Sequence, residues 1–341
     1  MRRFFALCLA FALLTGCAAR PGQAPAALER TFFAMDTVMS LRLYGVGDET
    51  LLDAAENRVR ELEALWSVTD ENSEIYALNR DGFAALSGDT AGLLAGALEL
   101  CWRTGGALDI TVYPVVRSWG FTTGEYAVPD GKTIEELLGR VDYALVELDE
   151  AAGTAAVPDG VEVDLGSVAK GYTGDVLAGL LKARGVESAM LDLGGNIQTV
   201  GARPDGSPWR IGVRDPEGDG VLGVVEAVGR AVVTSGSYER YFERDGVRYW
   251  HIIDPAAGAP ARSGLASVTV VGDSGLVCDA LATALFVMGP DGAVDFWRRY
   301  RDEWSVELVL VDEAGSVAIT AGLEEIFTLV QTDRALTVVR P

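Results

Sequence analysis

Between Glu49 and Trp66 the apolar residues Leu52, Ala55, Val59, Leu62 and Trp66 recur at steps of three and four, which predicts an amphipathic helix. The same period predicts helices over Asp89–Arg103, ended by the Gly105–Gly106 pair, and over Thr133–Val141. It returns in Val176, Leu177, Leu180 and Leu181. Gly275–Gly289 is apolar on nearly every side, the pattern of a helix buried all round, and a second helix follows over Asp291–Arg301. Alternating and β-branched runs predict strands over Thr31–Tyr44, Tyr143–Leu148, Ala155–Val163, Ala189–Asn196 and Trp209–Pro216. Short strands between Val306 and Val339 are expected to complete a sheet. Asp245–Gly246 stands between two such runs and signals a two-residue hairpin. In that register Arg244 pairs with Val247, and Arg240 faces His251.

The first residues break this pattern. Arg2 and Arg3 precede a short apolar core that ends at Leu14-Thr15-Gly16-Cys17. The core is too short for a comfortable membrane span, and its flanks are those of a secretory signal over residues 1–16. The last four residues have the form of a bacterial lipobox, so Cys17 is the expected site of lipid attachment, and residues 17–29 read as a flexible Ala/Pro/Gly tether. A chance cysteine after an ordinary signal is the alternative. The location this implies is the outer face of a bacterial cell membrane, held by lipid chains rather than by a span.

Charge narrows the function. The chain carries a formal −22, and loss of Arg2 and Arg3 with the signal takes this to −24. Such a chain is a poor ligand for nucleic-acid backbones, and an anionic substrate would have to be neutralised locally. Beyond the signal and the lipobox only Cys101 and Cys278 remain; a disulfide is open to them, but their apolar surroundings favour buried thiols. No zinc spacing occurs.

Asp164-Leu-Gly-Ser-Val-Ala-Lys-Gly171 carries the local cation. It follows the apolar run Val161 to Val163 and leads into a helix, so a strand, a Gly-bearing turn and a helix start would meet there. Lys170 supplies a full positive charge, and Asp164 and Ser167 supply hard oxygens; the alternative is an ordinary helix start with an incidental lysine. Asp279 and Thr283 stand four apart on one face of the apolar helix, with no cation in that helix to pair the carboxylate. Hard oxygens around a buried carboxylate suit Mg2+, whereas the bland reading has Thr283 bonding back to the helix and Asp279 meeting a distant arginine. Asp109 lies between apolar residues and either lines a site or closes an Asx turn. Met35 fits a core as well as a site. His251, the one histidine, has the ordinary pKa of a general base but could equally be structural.

These segments resemble, in order along the chain, the motifs of the FAD:protein FMN transferase (ApbE) family. The central loop is similar to that family's D-L-(G/S)-x-(I/V)-(A/G)-(K/E)-G-Y. Ala34–Thr37 resembles A-M-G-T, with Asp36 in place of glycine. Gly106–Phe121 resembles G-x-F-D-(I/P)-T-x-x-P-L-x-x-x-W-G-F. Thr234–Arg240, His251–Pro260 and Asp279–Leu285 resemble three further signatures. The resemblance implies an α+β, two-lobed fold over residues 30–341, with FAD in the cleft between lobes. It implies Mg2+ on Ser167, Asp279 and Thr283, and FAD contacts from Met35, Ala107, Leu108, Asp109, Asp164, Lys170 and Ile253. His251 would assist deprotonation of the acceptor hydroxyl. The implied reaction is Mg2+-dependent transfer of FMN from FAD to a Thr or Ser of a protein, releasing AMP. The acceptor would be an extracytoplasmic or membrane-anchored protein with a D-x-x-(S/T)-G-A-(S/T) motif. Two alternatives stay open: hydrolysis of FAD to FMN and AMP, and a flavin-binding lipoprotein without catalysis.

Overall fold

Residues 27–341 are described by a computed structural model, and they are organised on one nine-stranded sheet. Its strands run, edge to edge, Ala27–Ala34, Thr37–Tyr44, Ser188–Asp192, Ile197–Val200, Ala231–Gly236, Leu265–Gly272, Glu307–Asp312, Val317–Thr320 and Leu336–Val339. All neighbours are antiparallel except the last pair. The helices are α1 (Thr50–Trp66), α2 (Glu74–Asp81), α3 (Gly88–Arg103), α4 (Tyr113–Ser118), α5 (Gly131–Leu138), α6 (Ala169–Ala183) and α7 (Gly275–Trp304).

Strand alternation builds two cores from one sheet. Ala231, Val233, Val268, Val270, Leu308 and Leu310 point to the α7 side, while Val232, Val309 and Val311 point the other way. There they meet Trp209, Ile211, Val213 and Val225 of a three-stranded sheet formed by Trp209–Arg214, Val221–Ala227 and Phe327–Leu329. Side chains two apart share a face of a strand, so each strand is apolar on both faces where the sheet is covered twice. On the helical side, α1 buries the predicted stripe Leu52, Ala55, Val59, Leu62 and Trp66. A separate helical core gathers α2, α3, the loop around Leu108–Ile110 and the segment Val161–Ala169, and it reaches Ala280 and Ala284 of α7. The α+β fold expected from the sequence is the fold observed.

Four local expectations are corrected. Thr31–Tyr44 is a hairpin, not one strand: Met35 and Asp36 both adopt positive φ, 49° and 57°, in a two-residue turn. Such a turn is normally announced by Asn-Gly or Asp-Gly, and Met-Asp hides it. Of Ala155–Val163, only Thr154–Ala156 is strand, because Pro158–Gly160 turns the chain and Val161 N–H closes on Pro158 O at 3.1 Å. Val163 has no strand partner; the Asn79 amide takes that place, accepting from Val163 N at 2.7 Å and donating to its carbonyl at 2.8 Å. Tyr143–Leu145 is a 3-10 turn capped by Asp142, leaving only Glu147–Asp149 as strand. The predicted helix over Thr133–Val141 starts and stops earlier, because Asp130 caps it from Thr133 N. Signal and tether readings over residues 1–26 lie outside the described residues, and Ala27–Glu29 belongs to the first strand rather than to the tether. Cys101 and Cys278 are free, buried thiols.

The α7 span breaks at Gly289 (φ 76°) before Pro290, which separates the two helices the sequence suggests. Near its start it crosses α6 so closely that neither helix has room for a side chain there. A Cβ on Gly171 would lie 2.1 Å from Gly275 O, and one on Gly275 would lie 2.3 Å from Gly171 O. Replacing Gly171 with alanine is therefore expected to destabilise the protein by about 1–3 kcal/mol through overpacking. A urea-unfolding midpoint equal to that of the unaltered protein would contradict this packing.

Candidate active site

The α6–α7 crossing sets up a cleft. Gly171 N–H, in the first turn of α6, donates to Asp279 Oδ2 at 2.8 Å across the contact. Asp175, one turn further along α6, accepts from Gly275 N at 2.7 Å, Ser274 Oγ at 2.9 Å and Leu276 N at 3.0 Å, and so caps α7 from outside. The start of α6 is thus already occupied by an anion of the protein's own, Asp279. Gly166 N–H is likewise taken by Asp164 Oδ1 at 2.9 Å. Both glycine amides of the loop are therefore engaged within the protein. The loop offers the Lys170 side chain instead, which lines the cleft.

The cleft encloses about 560 Å3, a size typical of small-molecule and cofactor sites. Lining residues include Ala107, Leu108, Asp109, Asp164, Ser167, Lys170, His251, Ile253, Asp279 and Thr283, so segments far apart in the chain converge on one space. Met35 is the exception. Its sulfur faces Thr173 Oγ1 at 3.8 Å and its side chain packs between two helical cores, while Asp36 and Thr37 hold the cleft wall. Phe121, Thr122, Asn196, Tyr238 and Arg240 also line it; Phe121, Tyr238 and Arg240 lie in segments that resemble family signatures, but none of the five is given a site role from the sequence. Three of these bring buried polar atoms without a hydrogen-bond partner: Thr122 Oγ1, Asn196 Nδ2 and Tyr238 OH. A cleft wall with unmet polar atoms fits a polar ligand better than an apolar one.

Electrostatics divide the cleft. Asp279 is 5% exposed, and among the described residues no cation pairs with it within ion-pair distance. Burial raises its pKa, against the pull of nearby Lys170, Asn196 and the Gly171 amide. Thr283 Oγ1 meets Ser235 Oγ at 3.4 Å and makes no bond back along its helix. Asp279, Thr283 and Ser235 offer hard oxygens and Ser167 lines the same cleft, a donor set that suits Mg2+ completed by ligand oxygens and water. Asp164 is also raised by burial, opposed by the Gly166 amide, Arg240 and Lys170. Asp109 is raised too, again by burial, but both its oxygens are engaged. Oδ1 takes Thr111 N at 2.8 Å and Thr111 Oγ1 at 2.6 Å, and Oδ2 takes Tyr143 N at 3.0 Å. Asp109 therefore closes an Asx turn and ties it to the next segment, while the backbone beside it forms the wall.

Across from Lys170, the hairpin Tyr241–Arg244/Val247–Trp250 has the expected register, with Arg244 opposite Val247. One residue beyond the ladder, His251 N donates to Arg240 O at 3.0 Å, and His251 Nδ1 lies 3.3 Å from the same oxygen. A carbonyl only accepts, so Nδ1 carries the proton of the neutral ring and Nε2 keeps the lone pair. Phe121 stands edge-on to the imidazole at 6.4 Å. Burial first, then Arg240 and Lys170, push the His251 pKa down to about 4.

Comparison with known proteins reaches the same region of the chain. Residues 35–307 match the ApbE family. A Vibrio cholerae protein named FAD:protein FMN transferase is 36% identical over 300 residues, covering 85% of this chain and 89% of the relative. One from Treponema pallidum with the same name is 35% identical over 294 residues, covering 80% and 81%. The crystal structure of the ApbE protein from Thermotoga maritima superposes with a TM-score of 0.82 at 32% identity, over 88% of this chain and 99% of that one. The flavin transferase ApbE from Vibrio cholerae gives 0.77 at 28% identity, over 88% and 100%.

The lowered pKa of His251 has a definite sign. Between pH 6.5 and about 4 the unfolded chain binds a proton at this imidazole that the folded chain refuses. Stability is thus lost as pH falls through that window, and this group contributes no pH dependence above it. In the untagged, ligand-free protein the single imidazole resonance is expected to titrate near pH 4 by NMR. A midpoint near 6.5 would contradict the enclosed, cation-flanked setting.

Proposed function

The chain belongs to the ApbE family, and from that premise we propose how this FAD:protein FMN transferase uses its cleft. The observation that carries the reading is the convergence of Lys170, Asp279 and His251 on one cleft from three separate elements. A protein hydroxyl attacks the FMN-side phosphorus of FAD. A new O–P bond forms, the bridging P–O bond breaks, and AMP leaves with that oxygen and its electron pair. FMN stays on the acceptor as a phosphodiester.

Each residue has a separable role. His251 holds Nε2 unprotonated at neutral pH and takes the hydroxyl proton as the bond forms. Lys170 neutralises the pyrophosphate in a protein whose overall field repels it. Ser167, Asp279 and Thr283 would hold Mg2+, which when bound supplies charge neutralisation at the phosphates. Ala107, Leu108 and Ile253 shape the flavin end by contact, Asp109 fixes the backbone of that wall, and Asp164 meets the nucleotide. Met35 supports the turn that presents Asp36 and Thr37 rather than touching the ligand itself. Water reaching the same phosphorus would give FMN and AMP instead, which makes exclusion of water from the cleft part of the function.

We further propose that Cys17 is lipidated and that the cleft faces the extracytoplasmic side, where it meets membrane-associated acceptors bearing a D-x-x-(S/T)-G-A-(S/T) segment. The run Leu14–Cys17 supports this reading. Labelled fatty acid should enter the wild-type chain and not C17A; equal labelling of both would refute it.

Incubation with FAD, Mg2+ and a motif-bearing acceptor should leave flavin fluorescence on the denatured acceptor band. Asp279→Ala is expected to abolish this turnover with the fold retained; full activity of that variant at low Mg2+ would remove Asp279 from the metal site. His251→Ala is expected to slow transfer by about 10²–10⁴-fold, the usual contribution of a positioned base, with FAD affinity little changed. A loss confined to affinity would make His251 a binding residue.

A further inference from the structure

Arg214, Lys170 and Arg240 are the cations that line the cleft among the described residues, and they are not equivalent. Arg214 lies 3.9 Å from Glu239 and 5.1 Å over the Tyr238 ring, so its charge is engaged. Among the described residues, Lys170 and Arg240 have no carboxylate within ion-pair distance. Lys170 belongs to the α6 start, beside Asp279. Arg240 belongs to the segment that leads into the hairpin, and its own carbonyl fixes both the backbone and the ring of His251.

That placement is awkward for a base. A guanidinium beside an imidazole discourages the imidazole from accepting a proton. The arrangement becomes favourable once a phosphoryl group lies between them, because its oxygens answer the guanidinium while its phosphorus draws the incoming hydroxyl toward the imidazole. Arginine suits this position because its planar fork of donors matches two phosphate oxygens, which a lysine ammonium meets only as a point charge.

Resting on the transferase reading, we propose that Arg240 is a further catalytic residue, which grips the nonbridging oxygens of the FMN-side phosphorus at the face where the acceptor hydroxyl arrives. Lys170 and the Asp279 corner hold the leaving side. As the acceptor O–P bond forms, the hydroxyl proton passes to His251 Nε2, the bridging P–O bond breaks toward AMP, and Arg240 meets the charge that accumulates on the equatorial oxygens.

The test compares Arg240→Met and Arg240→Lys with the wild type in the FAD, Mg2+ and acceptor assay. Arg240 is exposed, so neither substitution threatens the fold. Arg240→Met is expected to lower kcat by at least about 10²-fold, the scale for one lost transition-state donor, with FAD affinity changed by far less. Arg240→Lys should recover only part. A loss seen in FAD affinity alone, or a kcat close to wild type, would overturn the assignment. A second readout needs no turnover: the charged groups around the imidazole are Arg240 and Lys170, so Arg240→Met should raise the His251 midpoint, measured by NMR in the ligand-free protein. An unmoved midpoint would place the guanidinium away from His251 and overturn the proposal. If the wild type yields only free FMN and AMP, the transferase reading fails, while Arg240 is still judged by its effect on that cleavage rate.

Discussion

The crossing of α6 and α7 at Gly171 and Gly275 is the contact on which the cleft depends. Two backbones approach so closely that a single methyl on either would collide with a carbonyl of the other. The reward is geometric. The Gly171 amide reaches Asp279, and Asp175 reaches back to cap α7 with three hydrogen bonds. Asp279 is thereby fixed within a buried corner, and the residue preceding Gly171, Lys170, is brought to the same space. A cation and a buried carboxylate from helices about a hundred residues apart become neighbours because two glycines leave room.

Charge explains why such rigidity is needed. The chain is strongly acidic, and Asp36, Asp109, Asp164, Glu239 and Asp279 all line the cleft. Left to themselves these groups would repel a dinucleotide. Asp109 is neutralised as an obstacle by donors from Thr111 and Tyr143, and Asp164 by the Gly166 amide with help from Arg240 and Lys170. Asp279 accepts from the Gly171 amide and has no ion-pair partner among the described residues, which is a demand for a cation rather than a barrier to an anion. Burial first, with Arg240 and Lys170 adding to it, keeps His251 neutral, and a phosphoryl group that answers those two cations would restore its ability to accept a proton.

Much of this was readable in the sequence where chemistry and period agree. The α1 stripe, the all-apolar run of α7 and the Asp245–Gly246 hairpin each combine a repeat with a residue type that permits only one local answer. The site residues could be named because their segments resemble ApbE motifs; their chemistry alone left a structural alternative open at most of them. What escaped had no local signature. Met35–Asp36 makes a turn that its residues do not announce, so a hairpin read as one strand. Val163 is satisfied by a side chain, Asn79, that lies in another element, so an apolar run read as a strand that does not exist. Arg240 was visible as the residue opposite His251 and as the end of a family-like segment; that its charge meets no carboxylate among the described residues is a property of the assembled cleft. The occupation of the α6 start by Asp279 is likewise a tertiary fact, invisible to any window along the chain.

The most direct measurement is the position of a divalent ion in crystals grown with FAD and Mn2+, read from anomalous scattering. The account predicts an ion bound to the Asp279 carboxylate, with the Thr283 hydroxyl and Ser167 among its neighbours and phosphate oxygens completing its shell. Ordered FAD in the cleft with Mn2+ elsewhere, or with the Asp279 corner empty of metal, would contradict it.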